Sequence, residues 1–305
     1  MHELENIIIN FKSIIFYGSY IVFPLIIFCI YKYKNWNALE ISHKIVLIIF
    51  TLLSIIFIDA RFIEPNYISI QNTKITIWLE KKVKIALLAD IHLWIYSDEK
   101  LLEQTVHKIN KIKSLDYVFI AWDLTYFDNS QVDLKLDKLF SSLKDIQVPI
   151  YWTLWNHDVE QPWPKVREKL ITVFNKYWTH YLNNDIVELD WFTLVWLWSN
   201  WWGEDDISLL EQFKEDDKVI VLMHNPDTTL KYKNQNADLT LCGHTHGWQI
   251  KIPYLYKKVI PTEWDFDEWL TQEENTQLFI TSWLWVVWLP FRFLNPPVID
   301  ILEIH

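Results

Sequence analysis

Five apolar runs in this chain each lead into side chains that bind metals or transfer protons, and this repetition constrains the fold more than any other feature. Each run has the composition of a β-strand buried on both faces. In α/β proteins, functional groups gather where strands end in loops, because the sheet fixes the strand ends while the loops vary. One such group alone would be interpreted as a cap or a surface residue, whereas five indicate a shared site. The runs are residues 85–89 before Asp90-Ile-His92, 118–121 before Asp123, 150–154 before Asn156-His157-Asp158, 219–223 before His224-Asn225, and Leu239–Cys242 before Gly243-His244-Thr-His246.

The segments between these strands have the apolar spacing of helices. Residues 99–112, for example, place Leu101, Leu102, Val106 and Ile109 on one helical face. Strands alternating with helices, followed by a more strand-rich end, predict a mixed two-sheet α/β sandwich in one domain. Residues 68–70 and 75–77 alternate as a hairpin would, with 71–72 as its turn. Further helices are predicted over 132–146, 166–177 and 207–213, and further strands over Val83–Ala89, Tyr117–Ala121, 192–195, 278–281 and Val298–Ile304.

The N-terminal part is apolar over enough length to cross a membrane. Residues 13–31 carry no charge, and a spanning helix needs about 20 residues. A second apolar run, 45–58, reaches that length only if it continues past Asp59 and Arg61. A buried hairpin of a soluble protein is the alternative, but runs this rich in Ile and Phe are costly to leave in water, and the first lacks the cleavage site of a signal peptide. We therefore predict a membrane anchor over residues 1–62, embedded through 13–31 and 45–63, and a folded domain over 63–305.

The orientation of this anchor is weakly specified. The loop between the two runs carries Lys32, Lys34 and Lys44, and the opposite side carries Lys12, Arg61 and Lys74. Because the two sides carry equal numbers of basic residues, the positive-inside rule leaves the side of the folded domain open. We take the extracytoplasmic side as the working expectation.

Charge and cysteine usage exclude several classes of function. The net charge of −11 argues against a nucleic-acid partner, which would need clustered Lys and Arg. Cys29 and Cys242 are isolated in apolar runs, so neither a disulfide framework nor a thiolate zinc site is predicted. The carboxylate, imidazole and amide groups of the five clusters suit Mn, Fe or Zn. They are more numerous than one metal needs, and two divalent ions about 3.5–4 Å apart suit in-line attack on phosphorus.

In content, order and spacing, the five clusters resemble the calcineurin-like metallophosphoesterases. The resemblance covers about residues 60–305, and local details are similar to the bacterial membrane-associated branch of that family. It implies a two-sheet αββα sandwich, here preceded by a transmembrane helical hairpin, and hydrolysis of a phosphoester or pyrophosphate bond. The segments that resemble the membrane-associated branch are residues 60–66, His224-Asn-Pro-Asp227, Gly247-Trp-Gln-Ile250 and residues 289–297.

The same resemblance implies a role for each site residue. A hydroxide bound by the metals would be the nucleophile, and His157 would donate a proton to the leaving oxygen or stabilise charge on the phosphoryl group. The acidic residue that many relatives carry three positions after the bridging Asp is Tyr126 here, so Asp158 and Asp128 become the candidates for orienting His157. The implied ligands are Asp90, His92 and His246 for the first metal, Asn156, His224 and His244 for the second, and Asp123 as the bridge.

The chain is also very poor in glycine. It has 4 Gly and 19 Trp, and their combined share is close to the roughly 7% that glycine alone usually takes. Glycine lets the backbone adopt positive φ and pass close to metals and phosphate, where an indole would fill the site. We therefore hypothesise that UGA encodes glycine in the source organism and has been read here as tryptophan. The resemblance places glycine at Trp94, Trp122, Trp155 and Trp248, and near Trp283, Trp285 and Trp288.

We considered three functions in the light of these observations. The first is a membrane-anchored phosphoesterase with two divalent metals, for which a lipid-linked phosphate or a cell-envelope precursor is a reasonable substrate. The second is an inactive membrane-anchored binding module with the same fold, which would not need every ligand together with His157. A nuclease of the same superfamily is disfavoured by the acidic net charge and the membrane hairpin.

Overall fold

We analysed a computed structural model of the chain. It describes residues 11, 13–91, 99–121, 136–154, 167–197, 206–231, 236–244, 249–258, 269–273, 276–282, 284, 286 and 289–305.

Two helical segments at the N-terminus are long and apolar enough to cross a membrane. They cover Ser13–Lys34 and Ile41–Asn66, and we call them the first and second spans. Most of their large side chains are exposed, as Ile27 and Leu53 are, because little of either helix packs against the rest of the chain. The regular α-helical parts are Val22–Lys34 (α1) and Ile41–Ile58 (α2). A π-helical turn, Asp59–Ile63, and a 3₁₀ turn, Glu64–Asn66, continue the second span, so the expected domain boundary at residue 62 falls inside its last turns.

The remaining chain forms a sandwich of two sheets, each with six strands among the described residues. The first sheet has the order β1-β12-β2-β3-β4-β5, and the second has the order β10-β11-β9-β8-β7-β6. Strands β2 to β5 are parallel, as are β7, β8, β9 and β11. The strands are Ser69–Ile75 (β1), Val83–Ala89 (β2), Tyr117–Ala121 (β3), Ile150–Trp152 (β4), Thr179–Tyr181 (β5), Ile186–Glu188 (β6), Thr193–Trp196 (β7), Val219–Leu222 (β8), Leu239–Cys242 (β9), Trp269–Glu273 (β10), Thr276–Ile280 (β11) and Val298–Ile304 (β12).

The alternation of side chains along each central strand produces two hydrophobic cores. In β2, Ile85 and Leu87 point into the core between the sheets, whereas Ala86 and Leu88 point toward the helices that cover the first sheet. Because successive strand residues point to opposite faces, a strand buried on both sides must be apolar throughout, as β2 is. The covering helices are Lys100–Ile109 (α3), Leu136–Leu139 (α4) and Arg167–Asn175 (α5).

The predicted two-sheet α/β sandwich is confirmed, as are the predicted bounds of β2, β3, β9 and β12. The hairpin predicted over residues 68–77 is wrong, because β1 runs without a turn through Gln71 and Asn72 and pairs in parallel with β12. The alternation of apolar and polar residues correctly indicated a β-strand, but neither Gln71 nor Asn72 is a residue that requires a turn. The helix predicted over 132–146 is also wrong over its described part, where α4 is followed by a separate 3₁₀ helix, Ser141–Asp145.

A buried carboxyl group connects the two sheets. Asp300 of β12 accepts a hydrogen bond of 2.5 Å from the Thr281 hydroxyl, which follows β11. Burial raises the pKa of the Asp300 carboxyl from 3.8 to about 7, and the hydrogen bond from Thr281 opposes the shift only in part. The group is therefore expected to keep its proton in the folded chain well above the pH at which it ionises in the unfolded chain.

We expect Asp300→Asn to remove a pH dependence of stability. Between about pH 4 and pH 7 the folded state holds a proton that the unfolded state has lost, so the wild type loses stability as the pH rises through this window. The unfolding free energy of the variant should therefore gain about 1.4 kcal/mol per pH unit relative to the wild type, or about 4 kcal/mol over the window. Thermal unfolding in detergent across this range measures the difference. Asp137→Asn is the control, and an equal gain there would contradict the assignment.

Candidate functional site

Asp90 lies at the carboxyl end of β2 and is fully buried. Its backbone has a positive φ of 51°, an unfavourable conformation for most residues with a side chain but one that Asp tolerates better than others. Residues held in such conformations concentrate at functional sites, where the surrounding structure enforces them. The strand thus delivers its carboxylate to the edge of the sheet, as the sequence predicts.

Two histidines from the second sheet meet this carboxylate. His224 follows β8 and His244 lies just beyond β9, and their ring nitrogens, Nε2 of His224 and Nδ1 of His244, are 3.0 Å apart. Asp90 Oδ1 lies 3.9 Å from His224 Nε2, and Asp90 Oδ2 accepts a hydrogen bond of 3.3 Å from the His244 backbone N–H. All three residues are buried. The Asp90 side chain therefore meets two histidines that lie 134 and 154 residues further along the chain.

Gly243 permits this convergence. A Cβ atom at this position would lie 2.8 Å from Asp90 Oδ2 and 2.9 Å from the Ala89 Cβ, closer than such atoms approach in proteins. Its amide N–H also donates to the His224 carbonyl, at 3.2 Å. Glycine is thus required here by close approach of the backbone. It is one of the 4 glycines that the chain retains.

The electrostatics of the site suit a cation. Burial raises the pKa of the Asp90 carboxyl well above its usual value, and the hydrogen bond from His244 N–H lowers it only in part. A positive ion next to the carboxyl would favour its charged form. Burial, followed by the charge of Asp227, also raises the pKa of the neighbouring Cys242 thiol well above its usual value.

The geometry of the described residues fits divalent metals. His224 Nε2 and His244 Nδ1 are within hydrogen-bond distance, at 3.0 Å. Two nitrogens bound at about 2.1 Å and at right angles to one ion, as in octahedral coordination, would be about as far apart. Within the described ranges, no group of three acidic, His or Cys side chains is arranged to hold an ion alone.

The other predicted site residues lie outside the described ranges. They are the predicted ligands His92, Asp123, Asn156 and His246, the predicted proton donor His157, and its candidate partners Asp128 and Asp158. Of the predicted site residues, the structure describes and brings together Asp90, His224 and His244.

Sequence analysis did not identify a joint between the second span and the folded domain. The Glu64 carboxylate accepts hydrogen bonds from the backbone N–H groups of Leu294 and Asn295. The Arg292 N–H donates to the Ala60 carbonyl at 2.8 Å, and the Arg292 side chain, fully buried, donates to the Asn295 carbonyl at 2.6 Å. Both segments stood out in the sequence for their resemblance to the membrane-associated branch, but only the structure shows that they are partners.

Comparison with protein families identifies the chain. The model of the calcineurin-like phosphoesterase family matches residues 83–248, which is more than half of the chain and includes Asp90, His224 and His244. The matched segment begins at β2 and ends after β9, so it contains the three strands, β2, β8 and β9, that lead into Asp90, His224 and His244.

Individual proteins agree with the family match. The chain is 26% identical to the metallophosphoesterase YkuE of Bacillus subtilis over 80% of this chain and 88% of that protein. It is 30% identical to a metallophosphoesterase of Campylobacter jejuni over 67% of this chain and 54% of that protein, so it spans about half the length of this second relative. Among solved structures, the NAD nucleotidase of Haemophilus influenzae is 13% identical, with a TM-score of 0.42, over 66% of this chain and 45% of that one.

The family match and the two relatives found by sequence confirm the resemblance that the five strand-end clusters indicate. Members of this family hydrolyse phosphoric ester bonds and typically use divalent metals. The chain belongs to the calcineurin-like phosphoesterase family and is a phosphoric ester hydrolase.

Proposed function

We propose that this chain is a membrane-anchored phosphoesterase that uses two divalent metal ions and acts on a lipid-linked phosphate or a cell-envelope precursor. The observation that carries this proposal is the buried contact of Asp90 with His224 and His244 at the ends of three strands. A surface carboxylate or histidine would need no such arrangement. Burying these groups together is costly unless a cation compensates the carboxylate charge.

The two ions would be Mn, Fe or Zn. Asp90, His92 and His246 would hold the first ion, Asn156, His224 and His244 the second, and Asp123 would bridge them. Bound there, the ions would supply the activated nucleophile and neutralise charge on the phosphoryl oxygens. The mixed donors fit these metals better than Ca, which prefers oxygen ligands alone.

The residues of the chain itself would orient the substrate and move a proton. The His244 N–H holds the Asp90 carboxylate in place, and Gly243 leaves the space that this contact requires. His157 would donate a proton to the leaving oxygen, or stabilise charge on the phosphoryl group, because the resemblance gives it no metal to bind. Asp158 or Asp128 would orient His157 in place of the acidic residue that Tyr126 replaces.

The anchor would comprise residues 1–62 and the catalytic domain residues 63–305, with the membrane contacted through 13–31 and 45–63. Two apolar helices support this assignment, and the exposed Ile side chains on both, with Phe23 and Phe28 on the first, would be stabilised by lipid. We place the catalytic domain on the extracytoplasmic side.

A groove between the two spans supports a lipid-linked substrate. Its volume is about 430 Å³, and its lining is almost entirely apolar. Gly18 and Ser19 of the first span and Phe57 of the second line it, together with Phe291 from the folded domain. An acyl or prenyl chain in this groove would extend from the membrane to the domain that carries the metal site.

Metal removal tests the proposal. We expect chelation to abolish hydrolysis and Mn, Fe or Zn to restore it, with two ions bound per chain at full activity. The chain should carry glycine at positions 94, 122, 155 and 248 in this assay, so that the site is open. Phosphate release from a lipid phosphate in vesicles and from a water-soluble phosphoester measures both activity and preference. Metal and ester binding without hydrolysis would instead favour the inactive binding module.

A further inference from the structure

A patch of exposed apolar and basic side chains lies beside the end of the second span. Its most exposed member is Tyr254, at 89%, followed by Leu294 at 57% and Leu255 at 56%. Such side chains scattered singly are normal on a protein surface, but a cluster of them marks a contact site. We call it the interfacial face, and define it as Ile252, Tyr254, Leu255, Lys257, Lys258 and Leu294.

Backbone hydrogen bonds connect this face to the second span in two steps. Residues 249–251 pair with the segment around Phe293: Phe293 N–H donates to the Gln249 carbonyl, and Lys251 N–H donates to the Phe293 carbonyl, both at 2.8 Å. The residues on either side of Phe293 bind the span, since Arg292 N–H donates to the Ala60 carbonyl. The second span, the segment around Phe293 and residues 249–251 are therefore joined in sequence by backbone hydrogen bonds, and most of the interfacial face directly follows residue 251.

A second contact fixes the same joint. The ring of Phe57, in the last turn of α2, packs edge-on against Phe291 at 5.2 Å between centroids, and Leu294 N–H donates to the Glu64 carboxylate at 2.9 Å. Leu294 thus belongs both to the joint and to the interfacial face. With polar and aromatic contacts on either side, the face cannot move far from the bilayer surface once the second span is embedded.

The chemistry of the face is that of a membrane interface. Tyrosine rings favour the headgroup level of a bilayer, lysine ammonium groups are attracted to anionic headgroups, and Ile and Leu side chains gain free energy by entering the acyl boundary. Both Tyr254 and Leu294 have positive φ, at 67° and 59°. Gly or Asn would adopt that conformation at a lower conformational cost. In a loop that faces only water, no contact of the Tyr254 or Leu294 side chain would offset that cost.

The face also continues directly into the proposed metal site. Gln249 comes three residues after the proposed ligand His246, and its side-chain amide donates to the Leu289 carbonyl in the same joint, at 3.3 Å. A contact that fixes residues 249–258 on the bilayer would therefore fix the height of the metal site above it.

We propose that the interfacial face is a second membrane contact, seated on anionic phospholipid headgroups, which holds the metal-site edge of the catalytic domain at the level of the lipid phosphates. This rests on the membrane anchoring proposed above. The continuity with the second span and the two lysines favour a lipid surface over a protein partner.

Site-directed spin labels in the full-length protein test the proposal. The protein is reconstituted in vesicles of mixed neutral and anionic phospholipid, in a Cys29→Ala background; Cys242 is fully buried and remains. Nitroxide labels are placed by Tyr254→Cys in the face, by Phe28→Cys in the first span, and by Trp178→Cys as the matched control. Residue 178 is 92% exposed and precedes β5, at the opposite edge of the first sheet from β1.

The label at 254 is expected to be relaxed mainly by oxygen, as in the acyl region, and the label at 178 mainly by a water-soluble nickel complex. Replacing Lys257 and Lys258 by Gln should shift the label at 254 toward water, with the ratio of membrane-seated to aqueous label falling about fivefold per lysine. The label at 28 should stay in lipid throughout.

Three results would overturn the proposal. A label at 254 as accessible to nickel as that at 178, with the label at 28 in lipid, would refute the second contact and leave the anchor intact. A label at 254 protected from both relaxing agents would mean that protein, such as a second copy of the chain, covers the face. A label at 28 in water would refute the anchoring and, with it, the contact that depends on it.

Discussion

Replacing Asp90 by Asn is expected to lower kcat/KM by about a thousandfold. The substitution keeps the size of the side chain but removes the charge that would bind a metal and accept the His244 N–H. Because Asp90 is fully buried, no water can replace the lost oxygen donor. We also expect one of the two bound metals to be lost or greatly weakened. Initial rates on a soluble phosphoester, together with metal content by mass spectrometry, measure both effects.

Asp137→Asn is the matched control for this variant. Asp137 undergoes the same chemical change, but its carboxylate is on the surface, where it pairs with Lys176 at 3.0 Å. Its rate and metal content should stay within about twofold of the parent chain, since exposed ion pairs contribute little to stability. Asp90→Asn with near-normal turnover and two metals would remove Asp90 from the site. Retained metal with lost turnover would mean that its role lies in catalysis rather than in holding the ion.

The positions of Asp90, His224 and His244 at strand ends could be predicted from the sequence because a parallel sheet makes strand ends predictable. The apolar runs before Asp90, His224 and His244 are each buried on both faces in the structure, so the first polar residue after each run had to lie at the sheet edge. What sequence could not provide was the order of the strands. The long connection that brings β12 between β1 and β2 leaves no local pattern, so the single strand β1 was interpreted as a hairpin.

Buried polar contacts between distant segments were also invisible in the sequence. Thr281 and Asp300 pair across the two sheets, and Glu64 binds backbone groups near residue 294. Each residue in isolation resembles an ordinary surface or loop residue. Their partners are determined by how the layers pack, which depends on the whole fold rather than on spacing along the chain.

The tryptophan hypothesis gains a physical argument from the structure. Trp78 and Trp178 both have positive φ, at 60° and 56°, and both are almost fully exposed, at 80% and 92%. A residue with a large side chain pays a conformational cost there and gains no burial in return, whereas glycine adopts this backbone freely. Trp36 differs, because its ring stacks on Tyr33 at 5.2 Å and lies under the Lys44 ammonium at 5.5 Å.

We therefore expect the protein from its own cells to carry glycine at 78 and 178 and tryptophan at 36. Trypsin releases a peptide of residues 75–81, in which position 78 is the only tryptophan, and a peptide of residues 35–44, in which position 36 is the only tryptophan. Peptide mass spectrometry of one digest thus compares a position where the backbone requires glycine with a position where aromatic contacts favour tryptophan. Tryptophan at both positions would refute the genetic-code hypothesis.

The genetic-code hypothesis also determines whether the metal site has room for metals and phosphate. Positions 94, 122, 155 and 248 adjoin the proposed ligands His92, Asp123, Asn156 and His246, and indoles there would fill the space that metals and phosphate need. A chain with glycine at these four positions should bind two metals and hydrolyse phosphoesters, whereas the chain with four tryptophans should lose at least about a thousandfold in kcat/KM. Gly243 supports this expectation, because even a single Cβ at that position would collide with Asp90. Equal activity of the two chains would mean that the loops hold the indoles away from the site, and that glycine is not what opens it.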